Sequence, residues 1–353
     1  MSARIYERSN WDQYVLNHCT KYLARENETP RHNYNMEYSY DDPKAFISEN
    51  WRFPIVDSSN VPNNNAVTFV YAAPTTYPAW KVSVVGTFSD LFDGVPLKQI
   101  VFGGEPTRYY ACSVLVPMGE VHTYKFNVNG QFKLDPINPQ MTTLGNAQTW
   151  SRFFTQFCTT PISFQPWERK ILDRFAEHIL PFRTEEGSKF LQNYYNYLDR
   201  GTKEREYHEV YQLDEQVGVS NFIDKLVAKE EFHRLQDYRI CLSIIDGVLR
   251  KRRPGQEPTA MSREVYVDLY NEMAQGNVDG WDYARYGDPK FFLQLVRRHT
   301  IIGAFAHPKY GGNIGAAGWS FLSETFCDQA GNLVFDWQRA IEKPLGHNND
   351  YVG

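Results

Sequence analysis

Hydrophobic positions follow two different periods along this chain, and the change falls near residue 160. Before that point, short runs rich in β-branched and aromatic residues are separated by turn residues, which is typical of strands. After it, apolar residues recur every three or four positions, as they do on helices that bury one face. The pattern therefore predicts an α+β chain in which a β-rich part precedes a helical part.

The strand pattern extends from about residue 64 to residue 158. Its clearest runs cover residues 67–71, 81–85, 109–116 and 122–128. Asn129-Gly130 follows the last of these runs and precedes a shorter one, and this dipeptide favours a tight hairpin turn. Short strands at such intervals predict a β-sandwich of about 90 residues.

The sandwich is flanked by an arm and by a helical region. Residues 1–63 predict an arm with one short helix, because Ser9 and Asp12 have the spacing of a capping box. Residues 159–353 predict an all-α helical bundle with a polar C-terminal tail. Its six helices are expected near residues 166–180, 184–200, 220–227, 232–250, 262–274 and 288–307. The predicted domains are thus 1–63, 64–158 and 159–353.

The last of these helices leads into an unusual loop. Asp288 is expected to cap the helix and Pro289 to occupy its first position. A broad apolar face is expected from Phe291, Phe292, Leu295, Val296 and Ile302. Beyond Pro308 the chain contains Tyr310-Gly311-Gly312-Asn313, then Gly315, Gly318 and Trp319. Glycine lets another chain segment come close, so the run predicts a shaped contact loop.

This region resembles the gluconate 2-dehydrogenase subunit 3 family. The residues that carry the resemblance are His299-Thr300, Gly303-Ala304-Phe305, Pro308, Tyr310-Gly311-Gly312-Asn313 and Gly318-Trp319. The resemblance implies a non-catalytic small subunit of a FAD-dependent sugar or glycoside dehydrogenase. The implied partner is a larger flavoprotein of the glucose-methanol-choline type, which holds the FAD. The chain itself is expected to bind no cofactor and to work only as an accessory subunit.

Glycines flanked by aromatic residues also suggest where such a partner binds, because aromatic side chains often anchor interfaces. The predicted interface consists of Tyr310, Gly311, Gly312, Asn313, Gly318, Trp319 and His307. The alternative is that the loop is buried within the chain's own fold. For His299 and His307 two roles stay open: donors near the partner's flavin, or a helix-face residue and a helix-end cation respectively.

The β-rich part contains a second distinctive set of residues, which includes Val84-Val85-Gly86-Thr87-Phe88, Tyr124-Lys125-Phe126, Asp135-Pro136 and Asn138-Pro139. On these residues it resembles the early-set immunoglobulin-like carbohydrate-binding modules of glycogen-branching enzymes and of the AMP-activated kinase β subunit. The resemblance implies a candidate glycan site at Lys125, Phe132 and Leu144. Binding members stack sugars on two tryptophans, whose positions here hold Leu91 and Phe132. A sandwich kept for packing or as an interface is therefore the other interpretation.

Composition narrows the classes of function. The net charge of −5 gives no reason to expect nucleic acid as a partner. The five cysteines form no C-x-x-C pair, and no two histidines have His-Glu-x-x-His spacing, so no metal site is predicted. Dinucleotide, P-loop and nucleophile-elbow motifs are also absent from the sequence. We therefore predict no catalytic residues in this chain.

The expected location follows from segments that the sequence lacks. No apolar run is long enough to span a membrane, and the first residues contain no hydrophobic signal. We expect a cytoplasmic protein, or a periplasmic one if it is exported with its partner or if the sequence is trimmed. Two rival functions remain: a free-standing glycan-binding scaffold, and an enzyme with a site around His299 and Tyr310.

Overall fold

A computed structural model describes residues 3–19, 52–76, 78–90, 94–145, 147–180, 217–314 and 317–319. The chain divides into two compact units, Met1–Cys158 and Thr159–Gly353. The predicted helix at 184–200, the C-terminal tail, and both Leu91 and Gly315 lie outside the described residues.

The first unit consists mainly of antiparallel strands. They are β1 Arg4–Ile5, β2 Ile55–Ser58, β3 Asn64–Ala72, β4 Val82–Gly86, β5 Val95–Pro96, β6 Lys98–Phe102, β7 Glu105–Pro117, β8 Val121–Val128, β9 Gln131–Lys133, β10 Met141–Thr143 and β11 Thr149–Phe154. One sheet has the order β1-β7-β3-β2, with β6 also paired to β7. The other has the order β10-β11-β8-β4-β5, with β9 also paired to β8.

The two sheets share one hydrophobic core. Along β8 the side chains of His122, Tyr124, Phe126 and Val128 are buried, and those between them are only half-buried. This alternation follows from the two-residue period of a strand, which sends successive side chains to opposite faces. The rings of Tyr124 and Phe153 meet Phe69 of the facing sheet with centroids 4.9 and 5.4 Å apart. The strand-rich architecture predicted for this part is confirmed.

Strand β3 departs from that alternation because both of its faces are covered. Seven consecutive residues of β3 are buried. The short helix α1, Trp11–Cys19, packs Val15 and Leu16 into a second cluster with Val70 and Tyr109. The helix predicted in the arm therefore covers a sheet of this chain's own first unit.

The hairpin predicted at Asn129-Gly130 is also present. Both residues have positive φ, 51° and 87°, as a tight two-residue hairpin requires. The register of β8 with β9 places Val128 opposite Gln131 and Asn127 opposite Phe132. The early-set immunoglobulin-like topology itself stays an expectation.

The second unit is helical. Its described helices are α2 Pro166–Ile179, α3 Val219–Leu226, α4 Leu235–Arg252, α5 Arg263–Gln275 and α6 Pro289–Phe305. Single 3₁₀ turns cover Phe232–Arg234, Pro258–Ala260 and Pro308–Tyr310. The common core includes Phe175, Ile223, Leu242, Leu269 and Val296. The helical nature of this part is confirmed, and a bundle arrangement remains a prediction.

Helix α6 begins as the sequence predicts. The Asp288 side chain accepts a hydrogen bond from the Phe291 backbone N–H at 2.9 Å, and Pro289 occupies the first turn. Of the predicted apolar face, Phe292, Leu295 and Val296 are buried, but Phe291 and Ile302 are 39% and 43% exposed. The buried arc includes Thr300 in place of those two. Among the described residues, no helix is long and apolar enough to cross a membrane.

Candidate partner-binding site

The loop after α6 is held by a buried asparagine. Asn313 adopts a positive φ of 45° and is completely buried. Its side-chain Nδ2 donates to the Ala306 carbonyl at 2.8 Å, and its Oδ1 accepts from the Gly318 N–H at 2.7 Å. One side chain thus joins the end of α6 to the helical turn that follows the loop.

Three glycines make a close backbone approach possible here. A Cβ on Gly312 would overlap the Gly303 carbonyl oxygen, and one on Gly318 would overlap the Ala304 carbonyl oxygen. A Cβ on Gly303 would lie 2.8 Å from the Phe222 ring on α3. These glycines are therefore required because the loop packs directly on the backbone of α6.

A polar cluster on α3 fixes the other side of the loop. The Asn221 side chain donates to the Gly311 carbonyl at 2.6 Å, and the Lys225 ammonium donates to Asn221 Oδ1 at 3.0 Å. Lys225 also pairs with Asp224 at 3.0 Å. All three side chains are buried. Burying this charge is tolerable because each group has partners.

Asp224 extends the same cluster to the segment before α2. Its carboxylate accepts the backbone N–H groups of Ile162 at 2.7 Å, Ser163 at 2.8 Å and Phe164 at 2.9 Å. Nothing in the local sequence around Asp224 announces this role, because its partners lie about 60 positions earlier. Asp224, Asn221 and Lys225 are residues that the sequence reasoning missed.

The predicted interface residues fall into two groups. Gly311, Gly312, Asn313 and Gly318 are buried within the helical unit. Tyr310 is 49% exposed, and His307 is exposed. Trp319 is half-buried, donates its indole N–H to the Phe305 carbonyl at 2.6 Å and meets the His307 ring edge-on at 5.8 Å. Only His307, Tyr310 and part of Trp319 therefore present side-chain surface that a partner can reach.

His299 lies inside the unit. It is completely buried, with Nδ1 2.9 Å from the Tyr238 hydroxyl and Nε2 3.0 Å from the Glu231 carboxylate. Burial lowers the pKa of His299 to about 4, against the opposing attraction of Glu231. The imidazole is therefore neutral near pH 7. This geometry fits a helix-face residue of the core, because a partner's flavin has no access to the ring.

His307 has a different local role from a helix-end cation. Its Nδ1 accepts the Lys309 backbone N–H at 3.1 Å and so caps the 3₁₀ turn Pro308–Tyr310. Partial burial and then the Lys309 charge lower the pKa of His307. A neutral ring suits this bond, since a protonated Nδ1 cannot accept it.

The candidate glycan residues lie on the first unit. Phe132 is 61% exposed and Leu144 is 39% exposed. The Lys125 ammonium lies 4.8 Å from the centre of the Trp150 ring. Sequence reasoning missed Trp150, although alternation in β11 signals it: Ser151 and Phe153 point into the core, so Trp150 points outward. Among the described residues, the Trp150 indole N–H has no hydrogen-bond partner.

Side chains that could hold a metal are scattered through the described ranges. Within these ranges, no group of three or more His, Cys, Asp or Glu side chains has a suitable arrangement. The described cysteines, Cys19, Cys112, Cys158 and Cys241, are all buried.

Comparison with known protein families bears on the helical unit. Residues 166–323 match the family model of gluconate 2-dehydrogenase subunit 3. The match begins at the first residue of α2 and includes the whole glycine loop. It supports the family resemblance for the helical unit. The resemblance of the first unit to carbohydrate-binding modules stays a prediction.

Other comparisons add little. No curated protein sequence matches the chain. Among solved structures, the enterobactin esterase of Shigella flexneri is similar at 17% identity over 33% of this chain and 37% of that one, with a TM-score of 0.27. An enterochelin esterase of the same organism is similar at 14% identity over 30% of this chain and 34% of that one, with a TM-score of 0.26. The chain thus spans about a third of either esterase, and neither likeness carries an argument.

Proposed function

We propose that this protein is the non-catalytic small subunit of a FAD-dependent sugar or glycoside dehydrogenase. The observation that carries the proposal is the family match over residues 166–323. The proposed partner is a larger flavoprotein of the glucose-methanol-choline type, which binds the FAD and supplies the redox chemistry. This chain stabilises that subunit and takes part in its assembly, in the cytoplasm or wherever the complex is exported.

The geometry of the helical unit is consistent with such a role. The glycine loop is locked to α6 and α3 by backbone packing and by Asn313 and Asn221. A surface that is already ordered loses less conformational entropy when it binds a partner. His299, the candidate for chemistry, is enclosed by Tyr238 and Glu231. These features favour an assembly role over an enzyme centred on His299 and Tyr310.

The test is an affinity purification of the tagged full-length chain from the cells that produce it. We expect a yellow eluate that contains a second, larger chain, absorbs at about 450 nm as oxidised flavins do, and reduces a dye when a sugar is added. Cells that carry the untagged chain provide the control. A colourless eluate without a larger chain would falsify the proposal.

A second candidate function is glycan binding by the first unit. It is favoured by the exposed ring of Phe132 and by the outward-facing Lys125 and Trp150. Aromatic rings of this kind offer a broad apolar surface with polar groups beside it. Calorimetric titration with maltooligosaccharides tests it without any partner protein. We expect Phe132→Ala to weaken binding by about tenfold, whereas Leu134→Ala, at a residue 37% exposed, should leave it unchanged.

A further inference from the structure

The outer face of α6 carries two large apolar side chains in solvent. Ile301 is 46% exposed and Ile302 is 43% exposed, although the opposite face of the same helix packs Val296 and Ala304 into the core. Isolated exposed apolar residues are ordinary. Ile301 and Ile302, however, are adjacent on a helix that otherwise packs into the core, and Tyr310 on the following 3₁₀ turn is also exposed.

The charged residues of α6 and of the loop that follows it are all positive. Residues 289–319 contain Lys290, Arg297, Arg298 and Lys309 and not one Asp or Glu, within a chain of net charge −5. Glu231 neutralises Arg298 at 2.8 and 2.9 Å. Arg297 is exposed, and no ion pair among the described residues involves it. As positions four apart, Arg297 and Ile301 are neighbours on the helix surface.

We propose that Arg297, Ile301 and Ile302 form the docking face for the flavoprotein subunit, here named the α6 outer face. Its occupant is a protein surface with an apolar centre and an acidic rim. The isoleucines supply the buried contact, and Arg297 pairs with the rim. This inference rests on the proposed function and assigns the binding surface to α6 in place of the buried glycines of the loop.

A second copy of this chain fits the face less well. A two-fold interface centred on Ile301 would bring the Arg297 side chains of both copies to the same patch. Like charges at an interface disfavour the pairing. A membrane surface also fits less well, since an in-plane helix inserts its main apolar face, and that face of α6 packs against the core through Phe292 and Val296.

The glycine loop has a clear part in this arrangement. Gly303 lets Phe222 of α3 pack against α6, and the Trp319 indole holds the Phe305 carbonyl. Both contacts fix the C-terminal half of α6, where Ile301 and Ile302 lie. These buried contacts thus stabilise the part of α6 that carries the docking face. A buried motif and an exposed surface can therefore serve the same complex.

The experiment compares four versions of the tagged full-length chain in affinity purification: wild type, Ile301→Asp, Arg297→Glu and the control Trp167→Asp. Trp167 is similarly exposed, at 37%, in the same unit, and an acidic residue suits the first turn of α2. The readout is flavin absorbance per amount of bait. We expect Ile301→Asp to lower it by about tenfold, Arg297→Glu to lower it in a salt-dependent way, and Trp167→Asp to match wild type.

The outcomes separate this inference from the function on which it rests. Wild type without a flavoprotein overturns both. Full flavin recovery with Ile301→Asp overturns the docking face alone, and an equal loss with Trp167→Asp does so as well. Circular dichroism melting of each variant must match wild type, and Ile302→Asp replaces Ile301→Asp if it does not.

Two further arms test the other occupants of the face. Sedimentation with vesicles of phosphatidylcholine and phosphatidylglycerol tests a lipid surface, and light scattering tests self-association. Vesicle binding or dimerisation that Ile301→Asp abolishes, with flavin recovery unchanged, assigns the face to lipid or to a second copy and overturns the inference.

Discussion

The glycine loop and the α6 outer face are neighbours in sequence, yet they differ in almost every physical respect. In the loop, Gly312 is buried where a side chain would overlap the backbone, and the buried Asn313 side chain is needed for its hydrogen bonds. On the outer face, Ile301 and Arg297 are exposed, so we expect substitution there to disturb little of the fold. Residues in the first region are thus dictated by internal packing, whereas those in the second are free to serve a partner.

A distinctive sequence motif therefore need not be a contact surface. Glycines are restricted where backbones meet, so a run of them signals tight packing at least as strongly as binding. A docking face needs only apolar and charged side chains of ordinary types. Substitutions can separate the two regions, since changes in the loop should act on stability and changes on the outer face should act on assembly.

The largest effect is expected at the cluster that supports the loop. Asp224→Ala removes the acceptor for three backbone N–H groups and leaves the Lys225 ammonium buried without its carboxylate. We expect the free energy of unfolding to fall by about 3 to 5 kcal/mol. Urea titration followed by circular dichroism measures it. Asp246→Ala, at a partly exposed ion pair with Arg250, should cost less than about 1 kcal/mol.

The next effect concerns the loop itself. Gly312→Ala places a methyl group against the Gly303 carbonyl and Phe222, and relieving that overlap should cost about 3 kcal/mol. Gly247→Ala is the matched control, because a Cβ there meets nothing within 4 Å on helix α4. The control should gain about 0.5 to 1 kcal/mol. Thermal melts in which both variants shift in the same direction would contradict this explanation of the loop.

The third prediction concerns pH. The pKa of His299 is about 4 in the folded unit because of burial, whereas an unfolded histidine has a pKa of about 6.5. Between these values the unfolded chain binds more protons than the folded chain. The contribution of His299 to the free energy of unfolding is therefore fully present above the upper value and is lost as the pH decreases towards 4. The loss is at most about 3 kcal/mol.

A histidine variant isolates this contribution. His299→Gln keeps a group that can bond the Tyr238 hydroxyl but cannot titrate. Denaturant titrations between about pH 4.5 and pH 7.5 give the free energy of unfolding at each pH. That free energy should change less steeply with pH in the variant than in wild type. If the free energy of unfolding varied equally steeply with pH in both proteins, groups other than His299 would control it.

The sequence predicts a large part of this architecture, for reasons that are local. Alternation identifies β8, Asn129-Gly130 identifies its hairpin, and Asp288-Pro289 identifies the start of α6. Each of these signals acts between residues close in sequence. The apolar pattern also predicts that α6 is half-buried, but it assigns Phe291 and Ile302 to the core, since period alone does not locate the neighbours that cover a face.

The site is less predictable because it depends on distant contacts. Asn221 reaches Gly311 across 90 positions, and Asp224 reaches Ile162 across 62. No spacing rule connects such pairs. The glycines of the loop are recognisable in sequence, but whether they face a partner or Gly303 is decided only by the fold. Trp150 is an intermediate case, because alternation in β11 turns it outward but only the fold places it beside Lys125.

The smallest effect on stability is expected for substitutions on the α6 outer face. Ile301→Asp alters a side chain that is nearly half exposed, so the free energy of unfolding should change by about 0.5 kcal/mol or less. Gly312→Ala should lose both stability and partner, because α6 loses its support. If Ile301→Asp instead destabilised the unit as strongly as Gly312→Ala, loop and face would belong to one packed core. A stable Ile301→Asp chain that retrieves no flavoprotein would separate them, because folding and docking would then depend on different residues of the same 31-residue stretch, 289–319.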